Sequence, residues 1–209
     1  VQAALEIWDR IQMEHADFWN AHHDKMGHVF DVAGNFTGKT RAKYLAQELA
    51  KSDAAWRTQW DVYDTKILGV IDALKDSGDS VTAQKVTDIL MLQRQNWTAF
   101  YDTRSKLYNL MSEAAFSKNQ GALNELNKAL TDIMGDDFIP TTNIKLLKND
   151  EYYSAIREAM NLQYRNSLGI ESGLQVELDA LFVDLFGRQF ENADAAAAWR
   201  AGIMNLREM

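Results

Sequence analysis

Apolar residues recur every three or four positions along most of this chain, the spacing that gathers side chains on one face of an α-helix. The pattern predicts three long helices, at residues 2–33, 39–76 and 80–117, with glycine-containing turns between them. Each would be roughly 50 Å long at about 1.5 Å per residue. Long helices of equal length joined by short turns predict an antiparallel up-down-up bundle.

The rhythm changes after the third helix. A shorter helix is predicted at residues 119–134, opened by a capping box of Ser117 and Gln120. Residues 136–148 contain the only proline of the chain, Pro140, and are interpreted as an irregular excursion that includes one extended stretch.

Helical spacing returns in the last third of the chain. A fourth long helix is predicted at residues 150–190, broken or kinked at Gly169 and Gly173, and a short C-terminal helix follows it. The fold class is therefore predicted to be all-α, an antiparallel helical bundle. We expect residues 1–209 to form a single domain.

The amino-acid composition limits the cellular locations and the classes of partner that we expect for this protein. The chain has no cysteine, which excludes disulfides and Cys-ligated metal sites and slightly favours an extracytoplasmic location. Its net charge of −8, without any basic run, argues against nucleic acid as a partner. The apolar runs are much shorter than the ~20 residues of a membrane span, so no span is expected within the chain.

Four histidines lie close together in the first predicted helix. His15 and His22 are seven residues apart on the apolar stripe, and Asp24 and His28 are four apart on another face. Neutral imidazole binds metals and haem iron, so these residues form a candidate metal site. The alternative is that they only pack against neighbouring helices, in which case no cofactor is expected. A ferritin-like di-iron site is excluded because no Glu-x-x-His pair occurs.

Three polar residues, Asp53, Gln93 and Arg104, fall on stripes that are otherwise apolar. A buried charge needs a partner, and antiparallel geometry places Asp53 and Arg104 at one level, so we predict an ion pair between the second and third helices. If a cavity opens there instead, the predicted pocket for a small anion or an aromatic ligand is formed by Trp56, Trp60, Trp97, Tyr101 and Arg104.

Catalysis is not predicted. Residues 33–40 loosely match a phosphate-binding loop ending in Gly-Lys-Thr, but a buried strand should precede such a loop, and here an amphipathic helix does. We interpret the stretch as a helix–helix turn. The chain also offers no arrangement of nucleophile and base, so it is not expected to be an enzyme.

The function predicted from the sequence is binding or interaction through a helical scaffold. The leading form is an extracytoplasmic ligand-sensing domain, in which a small molecule shifts helices of the bundle. The first alternative is a structural or assembly subunit that binds protein partners or itself, using exposed aromatics among Trp19, Phe30, Trp199 and residues 136–148. The second is a small-molecule, metal or haem carrier that uses His15 and His22.

Overall fold

Five α-helices account for most of the chain that the computed structural model describes, residues 2–76 and 80–186. Their bounds are Gln2–Ala33 (α1), Gly38–Lys75 (α2), Ser80–Phe116 (α3), Gln120–Met134 (α4) and Asn149–Phe186 (α5). These described residues contain no strand, so the all-α prediction is confirmed. The predicted C-terminal helix, and the end of the predicted fourth helix, lie outside the described residues.

The turn between α1 and α2 is made by glycines. The Gly34 N–H closes α1 by donating to the Phe30 carbonyl (3.0 Å), and a Cβ at Gly34 would lie only 3.1 Å from the Asp31 carbonyl oxygen. The positive φ (+55°) belongs to Gly38, where α2 begins, and not to Gly34. Residues 33–40 therefore form a helix–helix turn, as interpreted from the sequence.

The start of α4 differs from the prediction. Asn119, and not Ser117, is the N-cap, and its side chain accepts from a backbone N–H of the first turn (3.2 Å). Gln120 does not act in a capping box. Its carboxamide instead binds the Thr142 carbonyl (2.7 Å) and the Ile144 N–H (2.9 Å), and so fastens the excursion that follows α4.

The excursion contains two short 3-10 turns, Gly135–Asp137 and Ile144–Leu146. Between these turns, side chains supply hydrogen bonds to backbone groups that are not part of a helix. Asn127 donates to the Thr141 carbonyl (2.8 Å), and the Tyr152 hydroxyl accepts from the Thr141 N–H (3.2 Å) and binds Asn127. The backbone is therefore held in place at the middle of the segment.

The predicted break in the fourth long helix is absent. Gly169 and Gly173 both lie inside α5, which runs without interruption through them. A glycine weakens a helix by only about 1 kcal/mol and keeps its N–H donor, so burial of Met160 before the two glycines and of Leu174 and Leu178 after them is enough to maintain helical structure.

The chain divides into two compact units. The first comprises the described parts of Val1–Asn20, Gln59–Trp97 and Leu168–Met209, and the second comprises Ala21–Thr58 and Thr98–Ser167. Helices α1, α2, α3 and α5 contribute residues to both units, and α4 belongs to the second. The single domain remains a prediction.

The first unit packs segments of four helices around large aromatic side chains. Asp64 of α2 accepts two hydrogen bonds from Arg94 of α3 (2.5 and 3.0 Å), and Tyr63 of α2 reaches the backbone of Glu14 in α1 (3.5 Å). Trp60 of α2, which precedes both residues, lies beside Trp97 of α3 and His15 of α1, which follow Arg94 and Glu14, so both pairs of helices are antiparallel. The core includes Leu5, Trp8, Ile11, Trp60, Ile67, Ile71, Val86, Leu90, Trp97 and Leu178.

The second unit adds α4 to the same four helices. Its α4 presents Leu123, Leu126 and Leu130 to the core, one face of a helix at spacings of three and four. These residues pack in a cluster that also contains Met26, Val29, Phe30, Leu45, Leu49, Leu107, Met111, Ile156, Ala159 and Met160.

The exposure of the predicted contact residues differs in part from the expectation based on the sequence. Trp19 and Phe30, two of the predicted contact aromatics, are buried, with 3% and 2% exposure. In the excursion, Ile139 and Leu146 are exposed. Trp199 lies outside the described residues. Across residues 2–76 and 80–186, none of the helices combines the length and the apolar character that crossing a membrane requires.

Candidate functional site

His15 is fully buried in the first unit, inside a box of aromatic rings. The nearest ring is Trp97, with 4.1 Å between centroids, followed by Trp60 at 5.2 Å and Tyr63 at 5.7 Å. Burial lowers the pKa of His15 to about 3, because a charged imidazole would lose its hydration there. His15 is therefore neutral at physiological pH.

His22 is buried in the second unit and is also surrounded by rings. Its neighbours are Trp56 at 4.9 Å, Tyr101 at 5.8 Å and Phe100 at 6.3 Å. Neither ring nitrogen has a hydrogen-bond partner within the described chain. Burial, with the positive charge of Arg104 as a smaller cause, lowers the pKa of His22 to about 3.

The candidate metal residues are distributed as follows. His15 belongs to the first unit, whereas His22, Asp24 and His28 belong to the second, where the last two are exposed. Within the described residues, no three His, Asp or Glu side chains are grouped as a metal site would require. The carrier function that the sequence predicts for His15 and His22 remains a prediction.

The five predicted pocket residues separate into two sets. Trp60 and Trp97 lie in the first unit, where both contact His15. Trp56, Tyr101 and Arg104 lie in the second. Trp56 and Tyr101 contact His22 there, and only these three can contribute to a site within the second unit.

The predicted ion pair between Asp53 and Arg104 is not formed. Asp53 accepts instead from the Ser105 hydroxyl (2.6 Å), which also accepts from Arg57 (2.9 Å). Ser105 is one position beyond Arg104, and neighbouring residues of a helix point about 100° apart. The prediction that Asp53 and Arg104 lie at nearly the same level along α2 and α3 was close, but the residue of α3 that faces Asp53 is Ser105 and not Arg104.

Arg104 turns away from α2, and its guanidinium is buried with 1% exposure. It donates to the Gln163 side chain (3.1 Å) and the Met160 carbonyl (3.2 Å), and lies 4.4 Å from the centre of the Phe100 ring. No carboxylate of the described chain lies within 4.0 Å of Arg104, the distance of an ion pair. Burial lowers its pKa, and nearby tyrosines, Tyr108 first, oppose this.

His23 is the residue of this region that sequence reasoning missed. Its Nδ1 lies 3.4 Å from a guanidinium nitrogen of Arg104, and its ring stacks on Tyr164 with 3.7 Å between centroids and 5° between planes. A guanidinium only donates, so Nδ1 accepts and the proton of the neutral ring is on Nε2. Burial and Arg104 lower the pKa of His23, and Asp24 opposes them.

A cleft of about 50 Å³ lies beside this cluster, between α1 and α5 of the second unit. Gly27 is one of its lining residues, and a Cβ built there meets nothing within 4 Å. Four residues of α1 and three of α5 line it: His23, Met26, Gly27, Phe30, Arg157, Met160 and Asn161. We call it the α1–α5 cleft.

The first unit contains a second polar cluster that sequence reasoning missed. Glu171 of α5 accepts from Gln93 (2.8 Å), and Gln12 donates to Gln175 beside it (2.5 Å). Burial raises the pKa of Glu171 from 4.5 to about 7, and hydrogen bonds from Gln93 and Asn96 oppose the rise. The sequence signal was available, because Glu171 lies on a helical stripe with the buried residue Leu178.

Replacing Glu171 with glutamine is expected to stabilise the protein at about pH 8, by roughly 3 kcal/mol. The folded state holds the Glu171 proton up to about pH 7, whereas the unfolded chain releases it near pH 4.5. Stability from this group therefore falls as the pH rises from 4.5 to about 7, and glutamine removes that loss. Urea unfolding of both proteins at about pH 4 and pH 8 measures it.

Glu177→Gln, on an exposed position of the same helix, is the matched control. Comparing each variant with the parent protein at one pH cancels the contributions of all other titrating groups. An equal effect of Glu171→Gln at both pH values would contradict the assignment of a raised pKa.

Polar side chains and a small open space occur together at the α1–α5 cleft of the second unit. Ligand sites in helical bundles are formed by side chains on facing helices, and here a cleft, a buried cation and an oriented imidazole occur together. No family model, no curated protein and no solved structure matches this chain.

Proposed function

We propose that this chain is a non-catalytic ligand-binding helical module that acts as a sensor, with its ligand bound in the α1–α5 cleft of the second unit. The observation that carries the proposal is the contact between His23, which lines the cleft, and the buried guanidinium of Arg104. Together they place an oriented donor beside a space that a small molecule can enter.

The energetics favour a binding role for Arg104 over a purely structural one. A buried charge is costly, and apolar residues of similar volume often stabilise a core as well or better. Arg104 donates from Nε and Nη2 to a carboxamide, a carbonyl and an imidazole, none of which carries negative charge. Its positive charge therefore acts on the cleft through His23, the lining residue that it contacts.

The position of the cleft suits sensing. A ligand there touches α1 through His23 and α5 through Asn161 at the same time. Helix shifts of about 1–2 Å are sufficient for signalling in helical proteins. Such a ligand shifts the conformational equilibrium only by its difference in affinity for the two helix arrangements.

A Gly27→Leu variant tests the proposal by filling the cleft. The parent protein, labelled with ¹⁵N, is titrated with a panel of small carboxylates, amines, amides and alcohols at millimolar concentration. We expect at least one compound to shift the backbone amide signals of residues 23–30 and 157–161. The same compound should leave the Gly27→Leu protein unchanged, because leucine occupies the space that the glycine leaves.

Gly69→Leu is the matched control, since Gly69 is also in the middle of a helix with nothing within 4 Å of a Cβ, but lies in the first unit. It should bind the compound as the parent does. The proposal fails if no compound shifts the cleft amides, or if Gly27→Leu binds as well as the parent protein.

The assembly-subunit function, with Ile139 and Leu146 as its exposed apolar residues, remains the second candidate.

A further inference from the structure

The donors around the α1–α5 cleft point to a ligand of one chemical class. Resting on the function proposed above, we infer that the ligand is a small carboxylate with a short apolar body. Its carboxylate group would be held by His23, Asn161 and Arg157, and its carbon atoms would face Met26 and Met160.

The first reason for a carboxylate is the sign of the charge behind the cleft. Arg104 has no anion beside it within the described chain, and it contacts His23 directly. Because Nδ1 of His23 accepts from Arg104, the donor that His23 retains is Nε2–H. A hydrogen bond from a ring polarised by a cation favours a negatively charged acceptor.

The second reason is the pair of polar side chains that α5 contributes. Arg157 and Asn161 are four residues apart, one turn of the helix, and both line the cleft. Asn161 is exposed, and Arg157 keeps 40% of its side chain exposed while it pairs with Asp31. Arg157 thus contributes a planar array of donors, which matches a carboxylate, although its Nη1 now binds the Tyr153 hydroxyl and its Nη2 binds Asp31.

The third reason is the size and lining of the space. A water molecule needs about 10–15 Å³ of such volume, so a cleft of about 50 Å³ accepts only a few heavy atoms. Met26, Phe30 and Met160 give it buried apolar walls. These walls favour a short hydrocarbon body over an inorganic oxyanion, which has polar atoms on every side.

Asp31 is the internal competitor in this arrangement. It binds Arg157 now, so an entering carboxylate must share or replace that contact. Asp31→Asn removes the competing charge while keeping the side-chain shape. We therefore expect Asp31→Asn to bind a carboxylate about threefold to tenfold more tightly than the parent protein does.

The experiment compares propionate with propionamide, which has the same shape without the charge, and with inorganic phosphate. Affinities are measured from the amide signals of residues 23–30 and 157–161. We expect propionate to bind at least about tenfold more tightly than propionamide. We also expect bound propionate to raise the pKa of His23, followed through its Cε1–H signal, because an anion favours the charged ring.

Asn161→Ala should weaken propionate about tenfold, while Asn166→Ala, another exposed asparagine of α5, should not. Equal binding of propionate and propionamide would overturn the inference and leave the proposed ligand site intact. Tighter binding of phosphate than of propionate, or no binding of propionate, would also overturn it. The proposed function itself is judged by whether any compound of the wider panel is lost in Gly27→Leu.

Discussion

Replacing Trp97 with alanine is expected to lower the free energy of unfolding by about 3–5 kcal/mol. Trp97 is 1% exposed and lies near three other rings, 5.8 Å from Trp8, 4.1 Å from His15 and 6.1 Å from Trp60. Removing the indole leaves a cavity that these large, mutually supported rings cannot fill. Urea unfolding followed by far-ultraviolet circular dichroism measures the loss.

The loss can be assigned to packing, because the indole N–H of Trp97 has no hydrogen-bond partner within the described chain. Leu92→Ala is the control, since Leu92 lies on the same helix in the same unit but is 47% exposed. That variant should change stability by less than about 0.5 kcal/mol. A loss below about 1 kcal/mol for Trp97→Ala would contradict the described core of the first unit.

The second large effect is acid destabilisation by the two buried imidazoles. His15 and His22 have pKa values of about 3 in the folded protein, against 6.5 in an ordinary environment. The unfolded chain therefore binds protons below pH 6.5 that the folded protein does not bind. Stability from these groups is lost as the pH falls from 6.5 towards 3, by about 2 kcal/mol for each histidine at pH 5.

A His22→Leu variant isolates one of the two contributions. Any packing change is the same at both pH values, so the difference between variant and parent is compared at pH 7 and pH 5. We expect that difference to move by about 2 kcal/mol in favour of the variant at the lower pH. Exposed His28→Gln is the control. A pH-independent difference for His22→Leu would show that His22 takes up protons in the folded state.

Helix positions were predictable because they depend on local spacing and on the chemistry of helix ends. The first three helices end within one residue of the predicted bounds. The break expected at Gly169 and Gly173 was wrong, because local propensity was given more weight than burial of residues on either side. The cap at Asn119 was missed for a smaller reason, since several adjacent residues can fill that role.

Side-chain partners were less predictable, because they depend on helix rotation as well as on level. Arg104 and Asp53 fall at nearly the same level along the two helices. The residue of α3 that faces Asp53 is nevertheless Ser105, one position further along, and Arg104 contacts His23 instead. His23 carried no signal of its own beside the neighbouring His22. Tertiary packing decides which of several nearby side chains become partners, and the spacing of residues along the chain does not determine that packing.

The exposure of Ile139, which is 88% exposed and lies two residues before the side-chain hydrogen bonds at Thr141, has a practical consequence. The chain contains no cysteine, so Ile139→Cys would introduce its single thiol. A fluorophore or spin label could then be attached at one known position without blocking alternative sites. The second unit thus offers a ready attachment point for following its motions spectroscopically.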